Sequence, residues 1–204
     1  MKITSIRKIT RTFAIAPLVA VVAVALARNR SKETEPSPEL AEAVVWRKEH
    51  RLIDLHFHIA YENDKLDRAV RIMDKVGIGV GVNLSGGSTL GKDDKPSAFE
   101  RNKHFADSRH PGRFVHYMNL DYSRWNEADF TDHAIHQIEE GYRLGAAGLK
   151  EYKRLGLYLK DNKGSLIEVD DPRLDPVWKR CGELGLPVSI HVADPVAFWL
   201  PYDE

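Results

Sequence analysis

Two histidines separated by a single residue, His56 and His58, carry the sharpest chemical signal in this sequence. They close residues 51–59 (RLIDLHFHI), an alternating, apolar-rich run that reads as a β-strand. On a strand, a spacing of two puts both side chains on one face. Two imidazoles so placed can reach one cation at about 2.0–2.1 Å, the length of a Zn–N bond. Zinc suits imidazole nitrogen, and iron, manganese and cobalt also accept it. Without a metal, the same pair would line a polar cavity.

Other strand ends carry polar groups of the same kind. His191 closes residues 187–192 (PVSIHV) and is a candidate third ligand, although a lone histidine there would ordinarily be a core residue. Lys150 closes residues 147–152 (AGLKEY), where its ammonium either does chemistry or snorkels to solvent. Asp54 precedes His56 by two and shares its face. It could orient an imidazole or pair with a cation in the floor of the site. Asn83 and the Ser85–Ser88 loop follow the second strand, Asn119 and Asp121 the third, and Asp194 the fifth. Gly86 and Gly87 could cradle an anion with backbone N–H groups, or simply form a turn. Polar groups in register at the ends of apolar strands predict one shared, wet site. The remaining histidines read differently. His116 reads as core, His133 and His136 as a partly exposed helix face, and His50, His104 and His110 as solvated. The single cysteine, Cys181, excludes an intrachain disulfide and a Cys-based zinc ribbon, and reads as a small buried thiol.

The elements that must position these groups alternate. Strands are expected at 51–59, 78–84, 113–120, 147–152 and 187–192, and helices at 64–76, 97–109, 130–144 and 172–184. A short helix at 39–49 precedes them, and a long loop fills the interval up to residue 171. Gly77, Gly79 and Gly81 read as glycines of the second strand, with Gly77 also stopping the preceding helix. This order predicts an α/β fold with a parallel sheet covered by helices. Two architectures fit: a doubly wound open sheet and a (β/α)8 barrel. No G-x-G-x-x-G follows the first strand, which weakens the nucleotide-binding version of the first.

The 204 residues carry 30 basic and 30 acidic side chains, so no electrostatic footprint for nucleic acid or an anionic membrane is visible. The first eleven residues hold Lys2, Arg7, Lys8 and Arg11 and no acid. The 15 apolar-rich residues 13–27 follow, ending Ala25-Leu26-Ala27. A basic region, a short apolar core and a small-x-small end make a secretory signal, so export to the periplasm or medium is expected. If uncleaved, the same run would anchor the chain to a membrane. Its removal leaves 26 basic and 30 acidic residues, a formal charge of −4. Residues 28–38, with two prolines, read as a linker, and 51–204 as one folded α/β domain.

Taken together, Asp54-Leu55-His56-Phe57-His58, Gly148-Leu149-Lys150 and residues 170–195 (DDPRLDPVWKRCGELGLPVSIHVADP) resemble the amidohydrolase superfamily over about residues 51–204. The likeness is greatest to the amidohydrolase-related branch, which includes decarboxylases and lactone hydrolases of aromatic breakdown. The resemblance implies a (β/α)8 TIM-type barrel, of which this chain holds about the first five βα units, with a divalent metal at the strand ends. It implies His56, His58 and His191 as metal ligands, with Zn2+ expected and Fe2+ or Mn2+ as alternatives. Lys150 matches the position where some members carry a carboxylated, metal-bridging lysine. In the amidohydrolase-related branch that lysine is often not a ligand, so its catalytic role stays open, as does that of Asp54. The implied activity is hydrolysis of an ester, amide or lactone by metal-activated water, with a small-molecule substrate as the partner. Nonoxidative decarboxylation at the same site is the alternative, and a metal- or small-molecule-binding fragment without turnover is another. A phosphodiesterase or nuclease is disfavoured by the negative charge. Family members place a further histidine on strand six and an aspartate on strand eight. This sequence ends at Glu204 and has neither, so a fragment of a longer protein, or completion by a partner or second copy, is expected. Trp178, Phe198, Trp199 and Tyr202 could line an aromatic substrate pocket, with packing of its helix onto the sheet the simpler role for Trp178.

Overall fold

A computed structural model of the chain describes residues 38–93, 95–194 and 196. The expected signal at 1–27, most of the linker, and Phe198, Trp199 and Tyr202 lie outside the described residues. Among the described residues no helix is long and apolar enough to cross a membrane. The chain divides into two units, residues 1–43 and 44–204, and all five strands belong to the second.

Helix α1 (Pro38–Lys48) leads into β1 (Leu52–Phe57), α2 (Asn63–Val76), β2 (Ile78–Asn83), α3 (Ala98–Arg109) and β3 (Phe114–Met118). Then come α4 (Phe130–Arg143), β4 (Gly148–Glu151), the helical turn α5 (Arg154–Leu157), α6 (Asp175–Glu183) and β5 (Val188–Ile190). All four neighbouring strand pairs are parallel. The spatial order is β1-β2-β3-β4-β5, and the sheet curls as a half-barrel alternating with helices. Parallel neighbours need a crossover, and the intervening helices supply one for each pair. A doubly wound sheet reverses its order at a switch point, and these five strands contain no reversal.

Local sequence explains the elements. In α2, Leu66 and Met73 are buried, with Ala69 and Val70 packed beside them, a single stripe at helical spacing. Gly77 is outside β2: it is the left-handed C-cap of α2, φ 82°, and donates its N–H to Met73 O. Helix α3 opens on Ser97, whose Oγ accepts the Glu100 N–H at 3.1 Å. Helix α6 begins three residues later than the sequence suggests, because Asp171 and Pro172 form part of a turn stabilised by Asp171 Oδ1 accepting the Arg173 N–H at 2.9 Å.

Two apolar clusters join helices to sheet. Phe57, Leu66, Met73, Ala106 and Phe114 tie α2 and α3 to the first three strands. Phe99, Met118, Phe130, Ile138, Leu149 and Val177 form the larger core, with Trp178 packed against it. Cys181 is fully buried in that core, and burial pushes its thiol up to about 11, which makes it inert packing.

Candidate functional site

His56 and His58 come together at the C-terminal end of β1. Their Nε2 atoms stand 3.2 Å apart and their ring centroids 5.0 Å apart, edge to face. The pairing of β1 with β2 is irregular between Asp54 and Phe57, where His56 lies. Such irregularities re-aim side chains, and here the rings converge where a regular strand would hold them parallel. Both rings are exposed. His58 Nδ1 stands 3.0 Å from Ser85 Oγ, and the Tyr152 hydroxyl approaches the same Oγ at 3.2 Å. The His58 pKa is lowered, chiefly by partial burial and then by the nearby positive charges of His56, Lys150 and His191. A neutral imidazole is the form that ligates metal.

Asp54 reaches the backbone: its Oδ1 accepts the His56 N–H at 2.9 Å, so its carboxylate fixes the strand end. Asn83, at the end of β2, is fully buried. Its Oδ1 accepts from Ile59 N and Ser85 N, each at 3.2 Å, and its Nδ2 donates to Ile59 O at 2.9 Å. This amide staples the chain just after His58 to the loop that carries Ser85. Asn119 does the same one strand on. It accepts from Gly87 N at 2.9 Å and donates to Leu84 O at 3.2 Å and Lys150 O at 3.1 Å. The N–H of Gly86 is taken by Tyr117 O at 3.1 Å. The Gly86–Gly87 segment is therefore a turn whose donors are spent internally, and an anion would find neither of them free.

Lys150 does not snorkel. It is 1% exposed, and its Nζ lies 3.4 Å from Ser189 Oγ on β5. Burial lowers its pKa, with Glu151 acting in the opposite direction. A desolvated lysine is more readily neutral than one in water. His191 lies one residue past β5 and continues the ladder, donating its N–H to Glu151 O at 3.1 Å. Its Nε2 is 3.4 Å from Asp194 Oδ1, and Asp194 is itself held by Lys153 Nζ at 2.9 Å. Among the described residues, no three His, Cys, Asp or Glu side chains are gathered closely enough to hold a metal ion.

The His56–His58 pair alone matches one edge of such a site. Two nitrogens bound to a tetrahedral zinc at about 2.0–2.1 Å stand about 3.3 Å apart, and the His56–His58 separation of 3.2 Å matches that edge. His58 and His191 each have one ring nitrogen beside an oxygen, Ser85 Oγ and Asp194 Oδ1, the support that metal-binding imidazoles use.

The other histidines do not join them. His116 is buried between the Tyr61 hydroxyl, 2.9 Å from Nδ1, and Asp107 Oδ1, 2.9 Å from Nε2. Burial lowers its pKa despite the carboxylate. His110 Nε2 stands 2.8 Å from Asp67 Oδ1 and the side chain is only 18% exposed, which corrects its reading as a solvated residue. His133 has a buried, unpartnered Nε2, while His136 is exposed, so the two do not converge.

One residue had no signal in the sequence. Glu151, at the end of β4, is 3% exposed with Oε1 unpartnered, and burial pushes its carboxyl up to about 8. No family model matches the chain, and no curated protein matches it either.

Proposed function

We propose that the chain is a metal-dependent hydrolase of the amidohydrolase type, and that its curled sheet is the first part of a (β/α)8 barrel. The observation that carries this reading is the pair of Nε2 atoms 3.2 Å apart at the end of the first strand. The unreversed strand order supports it, since sequential parallel strands curl toward barrel closure.

In this reading His56 and His58 hold a divalent metal, zinc first and iron or manganese as alternatives, and His191 is the third ligand. The metal supplies an activated water for attack on an ester, amide or lactone carbonyl. Ser85 accepts from His58 Nδ1 and fixes which ring nitrogen offers its lone pair. Asn83 and Asn119 hold the two loops that position Ser85. Lys150, buried at the end of β4, hydrogen-bonds a substrate carboxylate or carbonyl from the strand-four side of the site. Asp54 locks the backbone from which His56 projects.

The test is turnover of an ester and lactone panel by the zinc-reconstituted chain. The expected result is hydrolysis that falls at least about 100-fold in His56→Ala/His58→Ala. In Lys150→Ala, KM should rise more than kcat falls. Zinc binding without turnover would favour the second reading, a metal-binding protein, for which the supporting observation is that no three candidate ligands are gathered among the described residues. Turnover unaffected by the double substitution would reject both.

A further inference from the structure

The contacts around His58 continue past Ser85. Tyr152, the first residue after β4, reaches the residues that follow β2, with Oη 3.2 Å from Ser85 Oγ and 3.1 Å from Leu84 O. Its ring lies 5.7 Å from the His58 ring, with planes 35° apart. Asn119 Nδ2 donates to the same Leu84 carbonyl and holds it in place. His58 Nδ1, Ser85 Oγ, Tyr152 Oη and Leu84 O therefore stand in one row.

The row has a direction. Each hydroxyl owns one proton and can also accept, whereas a carbonyl only accepts. The proton at the Leu84 end must belong to Tyr152, because two acceptors 3.1 Å apart would repel. With that proton spent, Tyr152 Oη accepts from the Ser85 hydroxyl. Ser85 Oγ is then left to accept from His58 Nδ1–H, and the imidazole carries its lone pair on Nε2. Ser85 by itself sets no direction, since its hydroxyl could equally donate to Nδ1. We infer that Tyr152 is a positioning residue of the histidine pair: through Ser85 it holds His58 in the tautomer whose Nε2 is free to bind a cation. The same direction reaches His56. Its Nε2 lies 3.2 Å from His58 Nε2, and two lone pairs facing each other there would repel, so His56 donates from Nε2 in the metal-free chain. Metal loading then requires a change of tautomer in His56 alone, whose exposed ring can exchange its proton with water. The role toward a cation rests on the reading of His56 and His58 as ligands, while the tautomers belong to the metal-free chain.

The experiment is nitrogen–proton correlation NMR of the imidazole rings in the 15N-labelled, metal-free full chain at pH 8. We expect His58 to be protonated at Nδ1 and His56 at Nε2. Tyr152→Phe keeps the ring and removes the hydroxyl. The Ser85 proton is then free to turn to Nδ1, and His58 should shift toward the Nε2–H form. The same variant should weaken zinc binding about tenfold, the lower end of the losses seen when a group that orients a metal-binding imidazole is removed. Ser85→Thr keeps a hydroxyl and should retain the parent tautomers. Tyr61→Phe, which takes a phenol hydroxyl from His116 instead, should leave the His56 and His58 signals unchanged. A His58 protonated at Nε2 in the parent would overturn the inference, as would a tautomer unmoved by Tyr152→Phe in a chain whose thermal melt shows it folded. A parent with the expected tautomers that retains no zinc would support it and contradict the hydrolase reading.

Discussion

At Glu151 the protonation of one carboxyl becomes a stability term. Burial raises its folded pKa from 4.5 to about 8. Between those values the unfolded chain has released the proton and the folded chain keeps it, so stability falls as pH rises from about 4.5 to 8. Glu151→Gln should remove that slope. Urea midpoints at pH 5 and pH 7.5 check it: the parent should lose more stability than the variant, and parallel losses would reject the assignment. His116 was legible as a core residue from its place in an apolar strand. Its partners were not, because Asp107 and Tyr61 are 9 and 55 residues away in the chain. Tyr61→Phe leaves His116 Nδ1 buried without a partner and should cost about 1–2 kcal/mol by denaturant unfolding. The shared face of His56 and His58 followed from their spacing, but the approach of their rings did not, because it depends on the irregular pairing at the end of β1; Glu151 gave no signal, since burial of one residue on a four-residue strand depends on the cover from distant elements.

The elements were legible because their apolar periods are clean, and their ends were not because polar side chains take over the last backbone groups. β1 stops at Phe57, and beyond it Asn83 holds the chain through Ile59. Asn83→Ala would leave three backbone groups short of a partner and should destabilise by about 3 kcal/mol, read as a shift in urea midpoint. The same variant should weaken zinc binding, because the chain beside His58 and Ser85 is no longer pinned. In β2, a Cβ on Gly81 would meet Phe57 ring carbons at 2.2 and 2.3 Å, so the glycine there is a packing requirement of the neighbouring strand. Gly81→Ala should lower the melting temperature by several degrees, corresponding to roughly 1–3 kcal/mol of overpacking. The turn Arg154–Leu157 escaped the sequence because it has no period, and Gly156 at φ 85° breaks it internally.

At the scale of the molecule, parallel alternation was legible from the order of patterns, while strand order needed the structure. β1 and β5 end the sheet, and Ile53, Leu55 and Val192 are 61%, 72% and 71% exposed there. Apolar side chains on an open edge favour self-association. Leu55→Lys should reduce aggregation on heating, measured by light scattering, and change the unfolding free energy by less than about 0.5 kcal/mol, since an exposed side chain contributes little packing. The metal reading also belongs to this scale, because it joins strands one and five. Its most direct test is elemental analysis of the purified full chain after zinc reconstitution and desalting, beside His56→Ala/His58→Ala. The proposal predicts about one zinc per chain in the parent and loss of that zinc in the double variant. A folded parent that retains no zinc, iron or manganese, or a double variant that retains as much as the parent, would contradict it.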